Sequence, residues 1–317
     1  MQPSLPEKMR AAVIDEYGPP DVLHIAEVPV PKPKADQVLI RLESAGVGVW
    51  DADVRAGDFE IGERRFPKVI GSDGAGEVVA LGSRARRFSP GQRVYAYSMD
   101  GGFYAEYVAL AQDAASEVPS NVQAEQAGAL GADGITALRG LDDTLKLSRG
   151  QKLLVFGASG GIGHLAVQLA KRIGAEVFAV ASEDDGVELV RRLGADDALD
   201  GKHDAITQRL RRFAPEGLDA ALVTAGGKVL EEALARVKKG GRVAYPNGVE
   251  PEPHAPKGIT VKGYDGEPGN DVFERLDALV SQGPFHVEVR FYPLAEAAQA
   301  HRDLPKHHLG KLALRMR

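Results

Sequence analysis

A seven-residue turn, Gly157-Ala158-Ser159-Gly160-Gly161-Ile162-Gly163, joins the apolar run Leu153–Phe156 to a segment with Leu165, Leu169 and Ile173 at near-helical spacing. A second apolar run, Val177–Ala181, then ends at Ser182-Glu183. The pattern reads as strand, tight turn, helix, strand. The amides at a helix start lack internal partners, and the helix dipole favours negative charge there. Gly160 and Gly161 carry no side chain to block an approaching phosphate, and Gly163 lets the helix pack closely on the strand. This is the chemistry of holding a dinucleotide pyrophosphate. Ala158 stands where the first glycine of G-x-G-x-x-G falls, so the flanking strand and helix carry the reading.

The rest of the chain must position that turn. Its 317 residues suffice for two domains, and 44% hydrophobic with 26% charged residues fits a soluble globular protein. The net charge is -6 with no basic block, which argues against a nucleic-acid partner. No apolar stretch reaches the about 20 residues of a membrane helix, and MQPSLPEKMR at the start lacks the apolar core of a signal peptide. The chain has no cysteine, which excludes disulfides, thiol catalysis and Cys-ligated metal, and makes a reducing cytoplasm the default expectation.

Strands are expected at Arg10–Asp15, Val38–Val47, Val69–Ala80, Arg93–Ser98 and Tyr104–Ala111, spaced as in a compact barrel. Asn121 is placed to cap a helix over Val122–Leu130, with a longer helix over Ile135–Leu145. From Lys152 strands alternate with helices: strands at Lys152–Phe156, Glu176–Ala181, Asp197–Leu199, Asp219–Thr224, Arg242–Tyr245 and Ile259–Tyr264, and helices at Ile162–Ile173, Gly186–Leu193, Ala205–Phe213 and Val229–Lys239. That alternation predicts a doubly wound parallel sheet of six strands. A tail follows, with a helix (Asp271–Gln282), a strand (His286–Tyr292), a helix (Leu294–Asp303) and a last strand (Leu312–Arg317).

Several segments, in this order and spacing, resemble the medium-chain dehydrogenase/reductase superfamily and, within it, the zinc-free quinone oxidoreductase branch that includes ζ-crystallin. They are AGVGVWDADVRAG (Ala45–Gly57), VIGSDGAGEVVALGS (Val69–Ser83), GQRVYAY (Gly91–Tyr97), GGFYAEYV (Gly101–Val108), GADGITAL (Gly131–Leu138), GASGGIGHLAVQLAK (Gly157–Lys171), VRRLGAD (Val190–Asp196) and PLAEAAQAHRDL near the end. The resemblance implies a GroES-like β-barrel domain over 1–124 and 265–317, a Rossmann domain over 125–264, and a nicotinamide cofactor. It also implies a homodimer, which the edge strand expected at Ile259–Tyr264 would suit.

Zinc-dependent members hold the metal with Cys, His-Glu and Cys. Those positions are here Val47 or Gly48, Ser72-Asp73 and Ala132, so no zinc is expected. Hydride delivery to an acceptor activated by conjugation, a quinone or an α,β-unsaturated carbonyl, is then favoured over alcohol oxidation. Reduction of an aldehyde or ketone is the alternative, and a cofactor-binding protein with vestigial catalysis is a third reading.

By the same resemblance, Thr136 lines the cofactor and Ser159, Gly160, Gly161 and Ile162 contact its pyrophosphate. Ala225-Gly226 and Pro246-Asn247-Gly248 lie at strand ends, where ligands bind in such sheets. Ser182 replaces the aspartate that clamps an NAD ribose, and the NADPH-branch lysine and tyrosine fall on Gly186 and Gly201. Glu183, Asp184 and Asp185 would repel a 2′-phosphate, yet with Ser182 they also read as a capped helix start. NADPH and NADH both stand. On the substrate side the family's Asn and Tyr are Gly48 and Asp53, leaving Trp50, Asp51, Ser72 and Tyr104 to face a small-molecule substrate. For Asp51 a structural turn role is the preferred reading. Trp50 is equally a substrate wall or core.

Overall fold

Eleven consecutive residues of extended chain, Gln37–Val47, form the strand on which the first unit is assembled. The computed structural model describes residues 5–61, 65–202, 205–227 and 229–317, so Met1–Ser4 of the leading segment lie outside it. Along the chain come β1 (Lys8–Ile14), β2 (His24–Pro29), β3 (Gln37–Val47), α1 (Val49–Ala56), β4 (Lys68–Val69), β5 (Asp73–Leu81), β6 (Arg93–Tyr97), β7 (Tyr107–Ala111) and β8 (Ala115–Glu117). There follow α2 (Gly131–Leu138), β9 (Lys152–Phe156), α3 (Gly161–Ile173), β10 (Glu176–Ala181), α4 (Glu183–Arg192), β11 (Asp197–Asp200), α5 (Ile206–Phe213), β12 (Leu218–Val223), α6 (Leu230–Leu234), β13 (Val237–Pro246) and β14 (Thr260–Tyr264). The tail holds α7 (Asn270–Val280), β15 (Val289–Pro293), α8 (Ala297–Asp303) and β16 (Lys311–Arg315).

Two compact units result: residues 1–132, 268–274 and 289–317 in one, and 133–267 with 275–288 in the other. In the first, β15-β16-β3-β5-β6-β8 form one sheet with β7 also on β3, and β2-β1-β4 form a second. β3 pairs antiparallel with β16, β5 and β7, which makes it the hub of the unit. Its core gathers Val38, Ile40 and Leu42 from β3 with Leu312 and Leu314 from β16 and Tyr104 from a loop. Asp73, at the start of β5, sits fully inside this unit. Its Oδ2 accepts from Lys311 Nζ at 2.9 Å and from the Ala132 amide at 3.0 Å.

The second unit carries the six-stranded sheet β11-β10-β9-β12-β13-β14, parallel throughout. β9 is central: four of its five residues are buried, as expected of a strand covered on both faces. The chain runs from β9 to β10 on one side, and β12 pairs with β9 on the other. The turn after β9 therefore stands where strand order reverses, the place at which such sheets bind ligands.

The structure corrects several element boundaries. The strand expected over Val69–Ala80 breaks at Ile70–Ser72, because Gly71 takes φ +92 with the Tyr104 ring 2.2 Å from where a Cβ would lie. The strand expected from Tyr104 begins at Tyr107. α1 was not expected at all, since its eight residues carry only a short apolar pattern. The helix expected over Val122–Leu130 is one 3-10 turn, Gln126–Ala129, and that over Ile135–Leu145 is α2 continued by a π-helical turn, Arg139–Thr144. The helix expected over Val229–Lys239 stops at Leu234, and β13 is already extended at Val237, ahead of Gly240 with φ +81.

The Asp73–Lys311 pair is 0% and 4% exposed at its side chains. Lys311→Met would leave the carboxylate buried without its cation and should cost about 3–5 kcal/mol. Urea unfolding should show this loss, and the double variant Asp73→Asn/Lys311→Met should recover part of it.

Candidate functional site

In the second unit the turn after β9 is shaped by its glycines. Gly157 has φ +82, and a Cβ there would meet Thr224 Oγ1 at 2.5 Å. Thr224 Oγ1 lies within donating distance of the carbonyls of Phe156 and Gly157, at 3.0 and 3.1 Å, which ties the turn to the end of β12. A Cβ on Gly163 would lie 2.2 Å from the Gly157 carbonyl. Gly160 is the N-cap of α3 and no side chain caps that helix start. The first amides of α3 are thus left for an anion. Ser159 is buried, and its Oγ accepts the Ser182 amide at 3.4 Å.

His164, one helical turn on, fixes the Gly160 peptide. Its Nε2 accepts the Glu288 amide at 3.1 Å, so its proton is on Nδ1 and donates to the Gly160 carbonyl at 2.9 Å. Burial pushes its pKa down to about 4, which keeps it neutral. In the sequence this role is marked only by a histidine at i+4 from the N-cap.

The other cofactor candidates follow the carboxyl ends of strands of the same parallel sheet. Ser182 follows β10, Ala225-Gly226 follow β12, Pro246 ends β13, and Asn247-Gly248 come next. Asn247 Nδ2 donates to Asp265 at 2.8 Å, and Gly248 has φ +96. Thr136 is instead on α2, its carbonyl accepting from Tyr264 Oη at 2.9 Å. The capping box expected of Ser182 and Asp185 is corrected: Ser182 is the N-cap of α4, but its side chain makes no cap hydrogen bond. Glu183 adopts φ +64 and pairs with Lys202 at 3.2 Å. Side chains at Gly186 and Gly201 would press on Ser159 at 3.0 Å and on Val180 at 2.8 Å.

In the first unit, Asp51 and Tyr104 are brought together and Ser72 lies beside them. Asp51 is the third residue of α1, and its Oδ2 accepts the Gly48 amide at 2.9 Å. That supports the structural reading of Asp51, and the same carboxyl also accepts from Tyr104 Oη at 3.2 Å. Ser72, also buried, lies close enough to oppose the rise in the Asp51 pKa. Two residues that the sequence reading missed complete the group: His301 Nε2 lies 3.0 Å from Tyr104 Oη, and Arg55 Nη1 lies 2.9 Å from His301 Nδ1. Trp50 stands apart from this network. It packs against the core and its ring lies 4.0 Å from that of Phe59, which is exposed, as is Val49. Burial and the nearby Asp73 raise Asp51 to about 7. Burial, then Asp51, push the Tyr104 phenol far above its ordinary value. Ser72 and Ala132 offer no imidazole or thiolate, and among the described residues no three His, Cys, Asp or Glu side chains gather there, so this donor set does not fit zinc.

Residues 34–120 match the family described as the alcohol dehydrogenase GroES-like domain, and 161–264 that described as zinc-binding dehydrogenase. The chain is 30% identical to the quinone oxidoreductase of Mus musculus over 318 residues, covering 96% of each. It is 32% identical to the chloroplastic NADPH-dependent alkenal/one oxidoreductase of Arabidopsis thaliana, covering 98% of this chain and 80% of that one. A solved NAD-dependent alcohol dehydrogenase superposes with TM-score 0.88 at 28% identity, covering 98% of this chain and 100% of that one.

Gly163→Ala should force the turn apart, costing about 1–3 kcal/mol of stability, and should weaken dinucleotide binding in a fluorescence titration. Neutral burial of His164 also sets a pH dependence. Its contribution is complete above its ordinary pKa of 6.5 and is lost as pH falls toward about 4. Over that window the loss approaches about 3 kcal/mol, and His164→Asn should flatten that part of the stability profile measured by urea unfolding.

Proposed function

This chain belongs to the quinone oxidoreductase branch of the medium-chain dehydrogenase/reductase superfamily, and on that premise we propose that it reduces a quinone or an α,β-unsaturated carbonyl with NADH or NADPH. One observation carries the reading most: a glycine turn at the reversal point of a parallel sheet, opening a helix whose start no side chain caps. The turn fits the dinucleotide, since Gly160 and Gly163 bring only backbone to it. The amides of Gly160, Gly161 and Ile162 hold the pyrophosphate, with Ser159 behind them and Ser182 toward the adenosine ribose. Thr136, Ala225, Gly226, Pro246, Asn247 and Gly248 line the nicotinamide side. The bound cofactor supplies the hydride.

Trp50, Asp51, Ser72 and Tyr104 face the acceptor, and residues 1–124 with 265–317 recognise it while 125–264 bind the dinucleotide. Without a zinc-ligand set the acceptor must already be electrophilic, which conjugation provides. Among the described residues no helix is long and apolar enough to cross a membrane. We assign the protein to the cytoplasm on its lack of cysteine, and read it as a homodimer joined at β14, the exposed edge of the six-stranded sheet. A monomer in sedimentation at micromolar concentration would overturn the dimer.

Oxidation of reduced nicotinamide should occur with benzoquinones or aryl enones and not with simple ketones. Cofactor binding without turnover on any acceptor would sink the reading. The negative charge of Glu183 and Asp184 opposes a 2′-phosphate, while the Arabidopsis relative is NADPH-dependent, so NADH and NADPH both stand. Glu183→Ser, which removes one of those charges and leaves Lys202 without its partner, should raise kcat/KM with NADPH relative to NADH in paired assays.

A further inference from the structure

Three polar side chains, His164, Gln168 and Arg172, are spaced four residues apart along α3 and so stand on one face of it. All three reach the same stretch of backbone, from the end of α7 to Glu288. Arg172 donates to the carbonyls of Leu279 and Val280, near the end of α7, and to those of Gly283 and Pro284 at 3.0 and 2.7 Å. Its guanidinium also lies 4.8 Å from the centre of the Phe285 ring. Gln168 grips one residue from both sides: its Oε1 accepts the His286 amide at 2.9 Å, and its Nε2 donates to the His286 carbonyl at 2.8 Å. His164 Nε2 accepts the Glu288 amide at 3.1 Å. Residues 284–288 belong to no helix or strand, so these side chains supply partners that a ladder would otherwise give. Phe285 and Val287 are buried in alternation with the bonded residues, and His286 Nε2 pairs with Glu288 Oε2 at 2.8 Å on the exposed side.

The His164 end of this ladder meets the glycine turn. The Gly160 carbonyl accepts both the backbone amide of His164, at 3.0 Å, and its Nδ1 proton, at 2.9 Å. A peptide group is planar and trans, so holding that carbonyl along α3 aims the Gly161 amide the opposite way, out of the helix start. The imidazole makes both of its bonds from one orientation, with Nδ1 facing Gly160 while Nε2 faces Glu288. Were residues 286–288 to leave the helix, Nε2 would lose its donor in a fully buried ring, and the ring would lose one of the two bonds that fix it.

We propose that Gln168 and the segment Phe285–Glu288 act on the dinucleotide site at one remove. They hold the His164 ring, the ring holds the Gly160 peptide, and that peptide presents its amide to the pyrophosphate. The inference rests on the reading above that Gly160, Gly161 and Ile162 bind the pyrophosphate. Gln168 and His164 are positioning residues. The coupling is reciprocal. An anion bound at the Gly161 amide steadies the ring and with it the segment, and freeing the segment loosens the hold on the anion by the same factor. Arg172, about two turns beyond His164, secures the α7 end of the segment and lies off this route.

The test uses the full chain with NADH or NADPH, whichever binds more tightly, and reads hydrogen exchange and a fluorescence titration. Cofactor should slow exchange of the His286 and Glu288 amides about fivefold, the worth of one hydrogen bond. Gln168→Leu should speed exchange at those amides and raise the cofactor Kd about fivefold. His164→Leu should raise it at least as much, and adding Gln168→Leu to it should change the Kd no further, because the route is already cut. Arg172→Met should lower stability to urea while moving the Kd by less than about twofold, which separates positioning from general loosening. A wild type that binds cofactor with no slowing at His286 and Glu288 would overturn the inference, and that measurement needs no variant to fold. So would a folded Gln168→Leu with freed amides and the wild-type Kd. A wild type that binds neither cofactor would instead overturn the pyrophosphate reading itself.

Discussion

A buried ion pair, Asp73 with Lys311, is the constraint on which the first unit's polar interior depends. It bonds the start of β5 to β16, and the same carboxylate receives the Ala132 amide at the beginning of α2. Neither partner has water to fall back on, so each is costly to leave alone. Gly46 on β3 shows how closely the chain is drawn around the pair: a Cβ there would lie 2.3 Å from Asp73 Oδ1 and 2.7 Å from Lys311 Cε. The pair also sets the electrostatics next door. Asp51 sits near enough to feel Asp73 as a repulsive charge and Lys311 as an opposing one. A carboxyl placed beside a carboxylate in a dry interior holds its proton to higher pH.

The second unit solves its polar problem in the opposite way, with neutral groups. His164 is buried and uncharged, donating to one backbone carbonyl and accepting one backbone amide. It fastens the peptide of Gly160, a residue that cannot fasten itself because it has no side chain. A turn made of glycine gives up rigidity. The histidine one turn later and Thr224 from the neighbouring strand restore it from outside the turn.

Much of this was legible in the sequence where periodicity was strong. The runs at Leu153–Phe156 and Val177–Ala181 became central strands of the parallel sheet, and the turn between β9 and α3 lies where the glycines put it. Reading failed where local pattern is short or is overruled by distant contacts. α1 has eight residues, too few for a clear helical stripe, and its start is fixed by Asp51 bonding to Gly48. The strand through Ile70–Ser72 breaks because Tyr104, over thirty residues later, occupies the space beside Gly71. Arg55 and His301 are 246 residues apart, and no spacing rule connects them. Candidate site residues were named where a motif marked them, and the residues that orient them were not, since those are selected by the fold and not by their neighbours in the chain.

Without a cysteine, histidine and cysteine ligand set, an acceptor must take hydride with no metal to polarise it, and conjugation in the acceptor answers that need. Near the place where such ligands would stand lies a buried carboxyl. Asp51 accepts the Gly48 amide at 2.9 Å and the Tyr104 hydroxyl at 3.2 Å, which holds it at the start of α1. A carboxylate at its ordinary pKa would hold no proton near neutrality. Taken out of water and set beside Asp73, this one is raised to about 7. The same dry interior that makes the Asp73–Lys311 pair costly to break is thus what lets a neighbouring carboxyl keep its proton to higher pH.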